Sequence, residues 1–274
     1  MSQITPIQNE YLYGKGKIAV CERGANGAVG AVFYLGNCPE LKISSSADKL
    51  THFESETGRN TQDREIIKTL SAEGTITLEN IARKNLALMW WSTVVENEQA
   101  ADVEFDFESG LVNGDIRIIE NGFNISDLVI TDSAMSPATV DASKYNYDAD
   151  FGVVEFLDVA GYTQPFTATF NQGASESVPM LTSERPARFL RFEGVNLGNP
   201  GEANDKILVE LYNAAFDTPT DFSLIGDDFG KFELKFSLQV DETRKANSEL
   251  GGYGRITKMG AGYVAESSSS SSSS

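Results

Sequence analysis

The stretch Lys231-Phe232-Glu233-Leu234-Lys235-Phe236-Ser237-Leu238-Gln239-Val240 decides the fold. Its apolar residues fall on every second position, and a period of two belongs to a pleated strand with one buried and one wetted face. The same period runs through Leu70, Ala72, Gly74, Ile76 and Leu78, through Phe166, Ala168 and Phe170, and through Ile207, Val209 and Leu211. Asn113-Gly114, Asn121-Gly122, Gly198-Asn199-Pro200-Gly201 and Gly251-Gly252 separate such runs with residues that favour chain reversal. The expected fold is mainly β, an antiparallel sandwich or barrel.

One flanking α-helix is expected, starting after Asn80 as its N-cap and running to about Trp91, with Ala82, Leu86, Met89 and Trp90 on one stripe. The polar stretch from Ser44 to Lys68 lies between two strand candidates and is long for a loop inside a compact domain. It reads as an arm, with Asp48, Lys49, His52, Phe53, Glu54, Arg59, Asp63 and Arg64 as its candidate contact residues. Residues 1–265 read as a single domain with extra β material at about 103–173, and residues 266–274 as a flexible Ser-rich tail.

The 274 residues carry 22 Lys+Arg against 40 Asp+Glu, a net charge of −18. A sequence-independent nucleic-acid binder needs basic surface to release counterions from phosphates, and an anionic membrane repels an acidic chain. No window approaches the roughly 20 apolar residues of a membrane-spanning helix. Met1 to Glu10 has neither the basic start nor the apolar centre of a signal peptide.

No catalytic, cofactor-binding or metal-binding residue emerges. With His52 as the one histidine and Cys21 and Cys38 as the cysteines, a histidine-rich metal site or a Cys-His-Cys cluster is not expected from this chain alone. The strand-like surroundings of both cysteines, Ile18 to Cys21 and Ala31 to Cys38, suit buried small hydrophobes. Gly14-Lys15-Gly16-Lys17-Ile18-Ala19 spells a dinucleotide loop, but no helix pattern follows it. Asn146, Asp148 and Asp150 are spaced like a calcium loop, yet Phe151 stands at the glycine position and Leu157 at the glutamate position, so a hairpin turn ending at Gly152 is expected. Forty carboxylates make any single glycosidase pair uninformative. The acids between Glu98 and Asp132, opposed only by Arg117, read as a solvated face.

Several segments together resemble the major tail tube proteins of long-tailed bacteriophages. They are Phe33-Tyr34-Leu35-Gly36-Asn37-Cys38-Pro39-Glu40-Leu41 with Leu50-Thr51-His52-Phe53-Glu54-Ser55 and Gly58; Ser71 to Ile81 leading into Asn85-Leu86-Ala87-Leu88; Tyr145-Asn146-Tyr147-Asp148 with Gly152-Val153-Val154; and Phe222 to Leu234. The resemblance implies a non-enzymatic virion subunit that forms hexameric rings stacked into a tube, with the Ser44 to Lys68 arm reaching an adjacent ring. It further implies assembly in the host bacterial cytoplasm, no cofactor, and as partners other copies of the chain, a tape-measure protein, tail terminator and tail tip or baseplate proteins, and a sheath protein in a contractile tail. DNA would pass through the acidic channel without tight binding. Two readings from other classes are a β-rich virion decoration or receptor/glycan-binding module, and an acidic β-sandwich hydrolase.

Overall fold

Along Phe232–Leu238 the expected alternation is realised: Phe232, Leu234, Phe236 and Leu238 are buried, while Glu233 and Lys235 face solvent. The computed structural model describes residues 11–56, 58–198 and 206–259. The Ser-rich tail, the Met1 to Glu10 segment and the Asn199-Pro200-Gly201 part of one expected turn lie outside them. The chain divides into two compact units, Met1–Thr93 with Met180–Ser274, and Val94–Pro179. The stretch 103–173 falls within the second unit.

In chain order the first unit begins with β1 (Gly14–Arg23), β2 (Val29–Tyr34), β3 (Glu40–Phe53), β4 (Gln62–Leu78) and helix α1 (Arg83–Met89). The second unit contains β5 (Val95–Asn97), β6 (Ala100–Asp106), β7 (Asp115–Ile118), β8 (Ile125–Asp132), β9 (Tyr145–Asp148), β10 (Val153–Phe156), β11 (Phe166–Gln172) and β12 (Ser175–Ser177). The chain then returns to the first unit with β13 (Ala187–Asn196), β14 (Lys206–Phe216), β15 (Phe232–Leu238) and β16 (Gly254–Met259).

The first unit is built on one antiparallel sheet in the order β2-β1-β13-β14-β15-β4-β3, with β16 also paired to β14. Ile18, Val20, Ile76, Leu78, Leu190, Phe216 and the four apolar residues of β15 form its core, closed by Leu88 and Met89 of α1. Burying each of these side chains is worth roughly 1.5–3 kcal/mol. Gly16 and Gly74 make room for aromatic rings: a Cβ at Gly74 would strike Phe236 and lie 2.6 Å from the Lys42 carbonyl oxygen, and one at Gly16 would strike the β13 backbone and the Phe192 ring.

Three expectations for this unit need correction. The helix starts at Arg83, with Ala82 rather than Asn80 at its N-cap. Asn80 lies two residues before that cap, its Oδ1 accepting from the Ala82 N–H at 3.2 Å and its Nδ2 donating to the Leu35 carbonyl at 2.9 Å, and the buried stripe is Asn85, Ala87, Leu88 and Met89. β14 does not alternate, because Cys21, Phe189, Tyr212 and Leu250 form a second cluster that buries its other side as well. The strand expected to run to Cys38 ends at Tyr34, and Cys38 packs half-buried against the main core.

The segment after β15 is pinned by a buried carboxylate. Asp241, fully shielded from solvent, pairs with Arg23 of β1 at 3.2 Å and with Arg244, and accepts from the Thr243 backbone N–H and hydroxyl. Arg244 also lies over the Tyr212 ring, 4.9 Å from its centroid, and donates to the Gly27 carbonyl in the β1–β2 turn. Gly27 takes φ +71°, the left-handed conformation this turn requires.

The second unit packs sheet β7-β10-β9 and sheet β6-β11-β8 around one core, a sandwich-like arrangement. Phe156 of β10 stacks on Phe166 of β11 with ring centroids 5.4 Å apart, and Phe107 meets Phe156 edge-on at 5.2 Å. Asn146, Asp148 and Asp150 lie in the β9–β10 hairpin as expected: Gly152 takes φ +64°, and the Asp148 carboxylate accepts from the Asp150 and Phe151 N–H groups. This unit holds sixteen acids against two bases, Arg117 and Lys144, so 14 of the 18 net negative charges reside in it.

Candidate functional site

The arm is where the fold departs most from what a long loop would give. Ser44 to Lys68 is a two-stranded ribbon, the outer part of β3 and β4, joined by a turn at about residues 54–61. β15 pairs with β4 only from Ala72 to Leu78. Beyond that point, among the described residues, each ribbon strand has only the other as partner. Both faces are therefore solvated, and every described side chain from Ile43 to Phe53 and from Gln62 to Ser71 is exposed. At the base, the Tyr253 hydroxyl donates to the Leu70 carbonyl at 3.1 Å.

The ribbon brings most of the eight residues singled out in the arm into register. His52 stands opposite Arg64 and Phe53 opposite Gln62, with Asp63 as the extra residue of a β-bulge. His52 Nδ1 and Asp63 Oδ1 are 2.6 Å apart, and Lys49 Nζ reaches Glu65 Oε1 at 2.7 Å. That lysine, as hydrogen-bond donor and as charge, holds the Glu65 carboxyl below its ordinary pKa. Glu54 organises the turn, accepting from the Thr61 hydroxyl and the Glu56 N–H at 3.1 Å each. Asp48 lies opposite Thr69 at a second bulge, where Lys68 is the extra residue, and Arg59 sits exposed in the turn.

Reading the arm as polar misses its apolar half. Leu50 and Ile66 face each other across the ribbon, both more than half exposed, and Ile43, Phe53, Ile67 and Leu70 are also open to solvent. The two bulges hide this in the sequence, because each inserts one residue and reverses the parity of the period-two pattern. Ile66-Ile67 beside Leu70 is the remaining signal, a β-branched pair inside a charged stretch. The outer strands β2 and β3 are both sheet edges, each paired on one side only among the described residues. Solvated apolar groups on an open-edged ribbon form a surface suited to another protein chain.

The two cysteines sit where burial disfavours the thiolate. Burial pushes the Cys38 thiol up to about 11, with the Glu79 charge adding to it, and raises the Cys21 thiol as well, so neither is poised as a thiolate. Among the described residues no set of three or more His, Cys, Asp or Glu is placed to hold a metal ion. Gly14-Lys15-Gly16 is a strand segment rather than a phosphate-binding turn. Glu96, Asn97, Glu98, Ala174, Ser175 and Glu176 line an open hollow in the second unit. No described helix is long and apolar enough to cross a membrane.

Residues 11–257 match the model of one family, whose description reads protein of unknown function UCP028589. None of the curated proteins matches the chain.

Proposed function

For a chain that belongs to this family, we propose a structural, non-enzymatic role as the subunit of a bacteriophage tail tube, assembled in the host cytoplasm and residing in the virion tail. Hexameric rings stack, and the tube encloses a tape-measure protein and conducts DNA at ejection. Its other partners are the tail terminator, tail tip or baseplate proteins, and a sheath protein in a contractile tail. The observation that carries this reading is the ribbon: two long paired strands, solvated on both faces and bearing exposed Leu50, Phe53, Ile66 and Ile67, extend past the sheet that anchors them. A monomer gains nothing from exposing these groups, whereas a repeating assembly buries them.

The free edges at β2 and β3 support the same reading, since closing a ring of subunits removes open strand edges. The charge agrees as well. At −18 the chain gives a polyanion little to hold, so DNA in transit is not retained.

Negative-stain microscopy of the purified chain, across concentrations and salts that promote assembly, tests the proposal. Rings or tubes are expected, and immunogold label along the whole tail of virions. Monodisperse monomers under every condition, or label confined to tips or capsid, overturn it.

A further inference from the structure

Between β14 and β15 the chain forms a second exposed apolar element. Its root is fixed: Phe222 stacks on Phe232 with centroids 4.8 Å apart and meets Trp90 edge-on at 5.7 Å. From Ser223 to Lys231 every side chain is exposed. Leu224 is 73% accessible, Ile225 94% and Phe229 93%. An anchored loop that holds large apolar groups almost wholly in water, rimmed by acids, has the composition of a contact surface. Asp227 and Asp228 sit between Ile225 and Phe229, and neither has a hydrogen-bond or ion-pair partner among the described residues.

The ribbon carries the opposite pattern. On one face Leu50 lies beside Ile66 and His52 beside Arg64, so an apolar pair adjoins a guanidinium. Of the nearby carboxylates, Glu65 is engaged by Lys49 and Asp63 by His52, and Asp48 stands opposite Thr69 at the bulge; Arg64 and Lys68 have no carboxylate partner among the described residues. The loop is apolar, acidic, apolar; on the ribbon the Leu50–Ile66 pair is followed by Arg64 towards the turn, and Lys68 lies at the bulge on its other side. Both are exposed in the same chain, so neither covers the other there.

Resting on the tube reading, we propose that the Phe222–Lys231 loop of one copy docks on the Leu50–Ile66 face of the ribbon of a second copy. Ile225 and Phe229 pack on Leu50 and Ile66, and Asp227 and Asp228 pair with Arg64 and Lys68. The two surfaces differ, so the contact is head-to-tail and repeats from copy to copy, as stacking requires.

Charge exchange on the full chain tests this. D227K/D228K and R64E/K68E alter exposed groups only, and each is expected to fold with the wild-type circular dichroism spectrum and urea midpoint. Each is expected to raise the concentration needed for tube formation by about tenfold or more, because like charges then face each other. The fourfold variant carrying both exchanges is expected to recover most of that loss. As a charge-independent arm, I225S/F229S is expected to abolish tubes. Normal assembly of D227K/D228K or of I225S/F229S, or a fourfold variant no better than either double, overturns the docking while leaving the tube reading intact. A wild-type chain that forms no assembly overturns the tube reading itself.

Discussion

Arg23 and Asp241, 218 positions apart in the chain, meet at 3.2 Å around a carboxylate that water does not reach. Asp241 also holds Arg244, so one buried anion ties β1, the β1–β2 turn and the segment after β15 together. Removing one member of a buried ion cluster leaves the others desolvated and unmatched, at about 3–5 kcal/mol. Both arginines retain some solvent contact, which favours the lower end. Asp241→Asn is therefore expected to destabilise the first unit by about 3 kcal/mol, read as a lower urea midpoint. A midpoint equal to wild type would show that the cluster contributes nothing net.

The same carboxylate sets an acid dependence. Burial alone would raise its pKa, but hydrogen bonds from Thr243, Arg23 and Arg244 outweigh burial and hold it at about 2. A folded pKa below the unfolded value contributes stability that is complete above about pH 4 and is lost as the pH falls towards the folded value. Wild-type urea midpoints are expected to drop between about pH 4 and about 2, and the drop attributable to this group to vanish in Asp241→Asn. Parallel acid limbs in the two proteins would refute the assignment.

Gly74 and Gly14 make a matched test of packing. Gly74→Ala forces its Cβ into Phe236 and the Lys42 carbonyl, one of them backbone that cannot swing away. Overpacking of this kind costs about 1–3 kcal/mol. A Cβ at Gly14 has nothing within 4 Å, so Gly14→Ala is expected to stay within about 0.5 kcal/mol of wild type. Equal thermal midpoints for the two variants would contradict the close approach at Gly74.

The ribbon separates folding from assembly. Its outer residues contribute little to the core, so replacing residues 52–64 with a short Gly-Ser linker is expected to leave the urea midpoint of the subunit near wild type. The same variant is expected to form no stacked tubes by microscopy. Tubes of normal length would remove the ribbon from the inter-ring contact.

What was legible in the sequence followed from residues whose period was unbroken. Phe232 to Leu238 and Phe166 to Phe170 could be placed, buried face and all, because each strand has one wet side. Leu70 sits on the same period as Ile76 yet is exposed, since the sheet stops supporting β4 at Ala72 and no local pattern records where a neighbouring strand ends. The arm's charged residues were visible and its strands were not, because bulges at Lys68 and Asp63 break the alternation. Asp241 gave no signal at all: its partners Arg23 and Arg244 come from opposite ends of the chain, and only the tertiary fold makes it a buried anion.

The acidic unit should stand alone. Leu181 N–H donates to the Trp90 carbonyl at 2.7 Å and Ser183 N–H to the Trp91 carbonyl at 2.8 Å, so the first unit already holds the two ends of the inserted segment side by side. Within Val94–Pro179, β5 and β12 pair Val95 with Ser177 and Asn97 with Ser175, which brings its own termini together. Adjacent ends make the loop-closure cost of bridging or excising the segment small. Each unit also has its own core, the inserted one built on Phe107, Phe156, Phe166 and Phe170. Residues 94–179 expressed alone are expected to unfold cooperatively in urea. With 14 net negative charges on this unit, self-repulsion opposes compaction and salt screens it, so the midpoint is expected to rise between low and physiological ionic strength. The remainder, with Thr93 joined to Met180 through a short Gly-Ser linker, is expected to keep its β-sheet circular dichroism. A fragment without a cooperative transition at any ionic strength would mean that its phenylalanine core depends on the first unit, and that the two are one folding unit.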